Sequence, residues 1–248
     1  MDIFLAEAIG TCLLVLLGDG VVANHLLGRT KGHGSGWMVI TTGWAFGVAI
    51  AVYCVGRISG AHINPAVTLA LFSIGQLEGS LVGTYVIGQM TGAILGAVLV
   101  WLAYLPHWKE TPDPAAKLAV FATAPEIRST PSNFLCEAIG TFVLVFGVLA
   151  IGQNAGEMVK GDFDLSAVFS TAINPLLVGF LVWGIGLSLG GPTGYAINPA
   201  RDLGPRIAHA LLPIAGKGGS DWGYAWIPVV APIGGGVAGA LAFELLLG

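Results

Sequence analysis

The chain of 248 residues is 55% hydrophobic and only 10% charged, with 38 glycines and a formal net charge of −4. A soluble domain carries about 25% charged residues, so this composition excludes a globule bathed in water and points to lipid as the main solvent, in keeping with a mean hydropathy of +0.82. The slight acidic surplus, with no basic run, argues against a nucleic-acid partner, and Cys12, Cys54 and Cys136, each in an apolar stretch, read as small buried hydrophobes rather than a disulfide framework or a metal site.

Residues 3–27 are the first apolar segment long enough to cross a bilayer, which takes roughly 20 predominantly apolar residues. The segment has no basic leader and no small-residue cleavage site, so it reads as a span, not a cleaved signal peptide. Residues 36–55 are the second span. Ser59-Gly60-Ala61-His62-Ile63-Asn64-Pro65-Ala66-Val67 follows, a polar, glycine-containing run that meets Asn-Pro-Ala and then turns apolar. Asn is a preferred N-cap and Pro suits a first helical turn, so Asn64-Pro65-Ala66 predicts a helix start. The apolar piece 64–75 is too short to cross and fits a re-entrant half-helix.

Residues 77–105 are the third span. The stretch 106–130, with four prolines at 106, 112, 114 and 125, reads as a polar loop joining two halves. The fourth span is 131–152 and the fifth 169–189, where Asn174-Pro175-Leu176 marks a kink or the start of the span rather than a third motif. Thr193-Gly194-Tyr195-Ala196-Ile197-Asn198-Pro199-Ala200-Arg201 then repeats the earlier run and opens a second half-helix over 198–211, before a sixth span at 222–247. Glycines 83, 88, 92, 96, 234, 235, 236 and 239 within the spans read as sites of close helix packing.

The two Asn-Pro-Ala motifs lie 134 residues apart (198 − 64), and Ala6-Glu7-Ala8-Ile9-Gly10-Thr11 recurs as Cys136-Glu137-Ala138-Ile139-Gly140-Thr141 at an offset of 130 (137 − 7). The chain is thus one channel-like domain over 1–248, with repeat 1 about 1–105, loop 106–130 and repeat 2 about 131–248. Three spans per repeat is odd, so the second copy enters the membrane from the opposite side. That is the inverted-repeat architecture of an all-α membrane protein, six spans and two half-helices, with its site at the midplane where broken helices meet.

Two helix N-termini meeting there place partial positive charge at the centre, a barrier to cations and protons but not to neutral solutes. The side-chain amides of Asn64 and Asn198 offer donors. The non-helical stretches Gly60, Ala61, His62, Ile63 and Gly194, Tyr195, Ala196, Ile197 should expose a ladder of carbonyl acceptors, tolerated at depth where they line water. Acceptors on one wall and hydrocarbon on the other suit a molecule with hydroxyls along one edge. The placement of Glu7 and Glu137 at equivalent repeat positions favours acceptors for the re-entrant loops' N–H groups over proton-coupling groups. His62 reads as a hydrogen-bonding support rather than a ligand or base.

Over essentially its whole length, with both motifs, their Ser-Gly-x-His and Thr-Gly approaches, and Arg201 after the second, the chain resembles the aquaporin family, and within it the glycerol facilitators or aquaglyceroporins. The resemblance implies a homotetramer with one pore per subunit and cytoplasmic termini. It also implies a selectivity filter, whose positions fall on Trp44, Gly186, Tyr195 and Arg201. Glycine at 186, where strict water channels typically carry His, implies a wider filter. Asp202 also resembles the facilitators, whereas Tyr195 stands where they more often carry Phe. Basic residues argue the other way on orientation: Arg29, Lys31, Lys109, Lys117 and Arg128 follow spans one and three, against Arg57 and Lys160 after spans two and four, which by the positive-inside rule puts the termini outside.

The expected function is a passive channel for small uncharged solutes: glycerol and similar polyols, water, and neutral molecules of like size such as protonated lactic acid, dihydroxyacetone, urea or hydrogen peroxide. The alternative is an ion-coupled secondary transporter, since inverted repeats with broken helices occur there too. No metal-ligand spacing and no nucleophile–base pairing stands out, so neither an enzyme nor a cofactor is expected. The short tails fit a bacterial inner membrane.

Overall fold

Asp2 opens the first helix, its carboxylate accepting from the Leu5 N–H at 2.8 Å, and α1 runs Ile3–Leu26. The computed structural model describes residues 1–160 and 163–248, at Lys160 and Phe163 the backbone only; the Lys160 charge therefore lies outside the described residues. The further helices are α2 (Trp37–Ser59), α3 (Pro65–Ser73), α4 (Gly79–Ala103), α5 (Pro114–Ala119), α6 (Thr130–Gln153), α7 (Ser166–Val168), α8 (Asn174–Leu189), α9 (Pro199–Leu211) and α10 (Ile227–Leu246). Among the described residues, six helical segments are long and apolar enough to cross a membrane. They are the six spans expected, and α3 and α9 are the two half-helices.

The two halves share their tightest helix pairing. In the first, α4 packs on α1, and a Cβ on Gly88, Gly92 or Gly96 would strike α1 carbonyls, at 2.7 Å from Phe4 O for Gly88. In the second, α10 packs on α6, and a Cβ on Gly239 would lie 2.7 Å from Phe142 O. Glycine is required there because lipid gives little apolar drive for helices to associate, so close backbone approach must supply the contact. Gly83 and Gly234, also expected at such contacts, have no heavy atom within 4 Å of an added Cβ and face outward. Cys54 is exposed rather than buried, and all three cysteines are free.

Two segments differ from the sequence expectation. The stretch 106–130 is more than a polar loop. It contains α5 and buries Trp108 and Phe121, stacked at 5.5 Å between centroids. Lys117 is buried with them, its Nζ donating to Ala215 O at 2.5 Å. At the end of this segment Arg128 pairs with Asp221, whose hydrogen bond raises the guanidinium pKa above its ordinary value. The fifth span begins at α7 and passes through a π-helical stretch, Phe169–Ile173, before α8. Pro175 has no N–H to give the preceding turn, so the ladder widens. The Asn174 N–H reaches back to Phe169 O, and Tyr53 of α2 donates to Ala172 O at 2.6 Å.

Candidate functional site

α3 and α9 start where the sequence places them, and each start is built by its Asn-Pro pair. Asn64 Oδ1 accepts from Ala66 N–H at 2.9 Å, and Asn198 Oδ1 accepts from Ala200 and Arg201 N–H at 3.0 and 3.2 Å. Pro65 and Pro199 occupy first-turn positions whose N–H would be orphaned anyway. Each amide also reaches across to the other half. Asn64 Nδ2 donates to Ile197 O and Asn198 Nδ2 to Ile63 O, both at 2.8 Å. The two tripeptides are therefore tied tip to tip.

The chain enters these tips in strained backbone. Gly60 and Gly194 take φ of 80° and 83°, and Ala61, Ile63, Tyr195 and Ile197 lie between 39° and 50°. A β-branched residue in the left-handed region is an outlier, at about 1–3 kcal/mol each. Two buried carboxylates hold it there. Glu7 accepts from Ser59 Oγ at 2.5 Å, His62 N–H at 3.0 Å, Ile63 N–H at 2.7 Å and Gln89 Nε2 at 2.8 Å. Glu137 accepts from Ala196 N–H at 3.0 Å and Ile197 N–H at 2.8 Å. His62 stacks on Tyr85 at 4.2 Å and shares a hydrogen bond with Thr68.

Beside the tips runs a cavity of about 280 Å³, well above the ~10–15 Å³ that one water needs. Its lining includes residues 60–64 and 195–198 with Arg201, together with aliphatic residues, among them Leu14, Val48, Val52, Leu144 and Val182. Of the expected carbonyl ladder, Gly194 alone does not line the cavity; it sits against Thr123.

Trp44, Tyr195 and Arg201 all border this space. The Arg201 guanidinium lies 3.9 Å above the Trp44 ring, and its Nη1 is 3.9 Å from Asp19 Oδ1. Gly186 is not on the wall but directly behind Tyr195: a Cβ there would lie 2.8 Å from Tyr195 Cζ and 3.0 Å from Thr41 Cγ2. The space that glycine leaves is taken by the tyrosine ring, itself edge-on to Trp37 at 5.8 Å. Trp37 Nε1 in turn donates to Gly186 O at 2.9 Å. Asp202 points away from the cavity. It accepts from Thr123 N–H and Oγ1, both at 2.7 Å, and from Arg206 Nε at 2.9 Å, so it ties α9 to the interhelical segment 106–130.

Sequence reasoning missed several of these partners. Gln89, Thr68 and Tyr85 are polar groups in apolar helices, a signal that could have found them. Asp19 is an intramembrane carboxylate and should have been read as functional by default. Thr123 carries no such signal, since a threonine in a connecting segment is ordinary.

An inverted repeat of membrane-crossing helices, with two half-helices joined at their tips beside one polar-walled cavity, is the architecture of a multi-pass membrane channel. The chain belongs to the major intrinsic protein family, whose description, Major intrinsic protein, matches residues 1–243. It is 60% identical over 246 residues to a probable glycerol uptake facilitator protein of Thermotoga maritima, covering 99% of this chain and 100% of that one. It is 40% identical to a D/L-lactic acid transporter of Lactiplantibacillus plantarum, covering 95% and 94%. Among solved structures it is similar to the aquaglyceroporin from Plasmodium falciparum, with a TM-score of 0.82 at 28% identity, covering 99% of this chain and 96% of that one. The fold is the aquaporin fold.

Proposed function

We propose that this protein is a passive channel for small uncharged solutes, glycerol and similar polyols first, with water. The observation that carries the reading is the reciprocal Asn64–Ile197 and Asn198–Ile63 pair set beside a cavity lined both by the re-entrant segments 60–64 and 195–198 and by aliphatic residues. A polyol can slide through with its hydroxyls on the re-entrant backbone and its carbons against the aliphatic residues. Relatives named as glycerol uptake facilitators support the substrate class, and the relative named as a D/L-lactic acid transporter supports lactic acid as a further solute. An ion-coupled transporter is not supported.

Trp44, Tyr195 and Arg201 form the selectivity filter, and Gly186 acts by seating Tyr195. Arg201 supplies fixed donors. The partial positive ends of α3 and α9 repel cations and protons at the midplane. Residues 1–105 and 131–248 are the two repeats of a single channel unit, joined by 106–130. The protein works as a homotetramer in a bacterial inner membrane, with its termini in the cytoplasm.

Stopped-flow light scattering of proteoliposomes challenged with glycerol, water, lactic acid, dihydroxyacetone and urea tests the proposal. Glycerol-driven reswelling well above that of empty liposomes, unaffected by an imposed proton or sodium gradient, is the expected result. Flux that tracks either gradient would refute a passive channel.

A further inference from the structure

Asp19 is the unexplained charge in this molecule. It sits on α1 with 0% exposure, among membrane-crossing helices, and neither carboxylate oxygen has a hydrogen-bond partner among the described residues. A buried carboxylate is costly unless an opposite charge compensates it. The neighbouring charges leave one candidate. Arg206 is already committed to Asp202, Ser220 O, Asp221 O and Thr123 O. The Arg201 guanidinium stands 3.9 Å from Asp19, on the lumen side of it. Asp19 does not border the cavity and Arg201 does.

Arg201 needs a partner for its own reasons. Its position is set by the Trp44 face at 3.9 Å and by Asp19, and its guanidinium donors have no hydrogen-bond partner among the described residues. A lone guanidinium at a constriction would repel cations, but it would also hold small anions. A carboxylate behind it cancels the far field while leaving the donors in place.

We infer that Asp19 is the counter-ion of Arg201: a positioning residue, outside the pore, that keeps the filter electrically neutral so that anions are not trapped there. The inference rests on the reading of Arg201 as a filter residue. It predicts that removing the Asp19 charge turns the filter into an anion site.

The test measures glycerol flux through proteoliposomes at neutral pH with and without sodium formate, each variant compared with itself. In the parent protein formate should have little effect. In Asp19→Asn and Asp19→Val, formate should inhibit at a concentration at least ~10-fold lower, because one uncompensated charge close to the lumen is worth at least that at an effective dielectric constant of about 20. Asp19→Glu should restore the parent behaviour. A folded Asp19→Asn that is no more sensitive to formate than the parent overturns the inference. So does inhibition that persists in Asp19→Asn/Arg201→Ala. Should Asp19→Asn fail to fold, the double variant is expected to fold, since the stranded charge is gone; failure of both overturns the inference as well.

Arg201→Ala alone separates the two readings. If it leaves solute selectivity unchanged, the filter reading fails. If it alters selectivity while Asp19→Asn leaves formate sensitivity unchanged, only the role of Asp19 fails.

Discussion

Replacing Glu7 by Gln is the sharpest probe of how the pore backbone is held. Four donors converge on that carboxylate, two on each oxygen. An amide keeps one oxygen and turns the other into a donor. Facing the first pair, the new NH₂ could donate to Ser59 Oγ but would strand the His62 N–H. Facing the second pair, it would strand the Ile63 N–H. One buried backbone donor is lost either way, at about 1–3 kcal/mol, and the remaining bonds fall from charge-assisted to neutral strength, for a total of about 3–5 kcal/mol. Glu137 holds two N–H groups, one on each oxygen, so Glu137→Gln should cost less, about 2–4 kcal/mol.

For a chain of this length that predicts a fall in melting temperature on the order of 10 °C for Glu7→Gln, read by thermal unfolding of the purified protein in detergent. Glycerol flux should fall with it, because the strained backbone at 62–63 loses one of the bonds that hold it. A Glu7→Gln protein that melts within about 2 °C of the parent, or a Glu137→Gln protein that is damaged more than Glu7→Gln, would refute this account of the re-entrant loops.

Gly186→Ala should drive the Tyr195 ring toward the lumen, because the new methyl would sit 2.8 Å from its Cζ. Glycerol flux should fall several-fold while water flux persists, as stopped-flow measurements with each solute would report; equal flux of both solutes in variant and parent counts against Tyr195 lining the constriction. Asn64→Asp removes the amide donor to Ile197 O and sets a carboxylate against that carbonyl at the midplane, so solute flux or folding should be lost; unchanged flux would mean that the cross-link is dispensable. Lactic acid flux should rise as pH falls, since each unit above the acid's own pKa leaves about tenfold less of the neutral form. A flux flat between about pH 4 and pH 7 would show that the anion passes.

Much of this architecture is legible in the sequence because it is encoded locally. Lipid demands about 20 apolar residues per crossing, so six spans appear in the hydropathy. Asn64-Pro65 and Asn198-Pro199 cap helices by chemistry confined to neighbouring residues, and the repeat offset reveals the inversion. Side chains that meet from distant segments leave no such trace. Gly186 looks like an open position until the Tyr195 ring, brought back onto it from the re-entrant segment, fills it. Trp108 and Phe121 look like residues of a polar connection until the helices around them bury both. Asp19 lies 182 residues before Arg201 (201 − 19), and no local pattern joins them. The sequence by itself determined which segments cross and where the half-helices begin, because those depend on solvent and capping. Only the tertiary structure decided what faces the lumen and which charge balances which, because those depend on through-space distance, and distance along the chain does not report it.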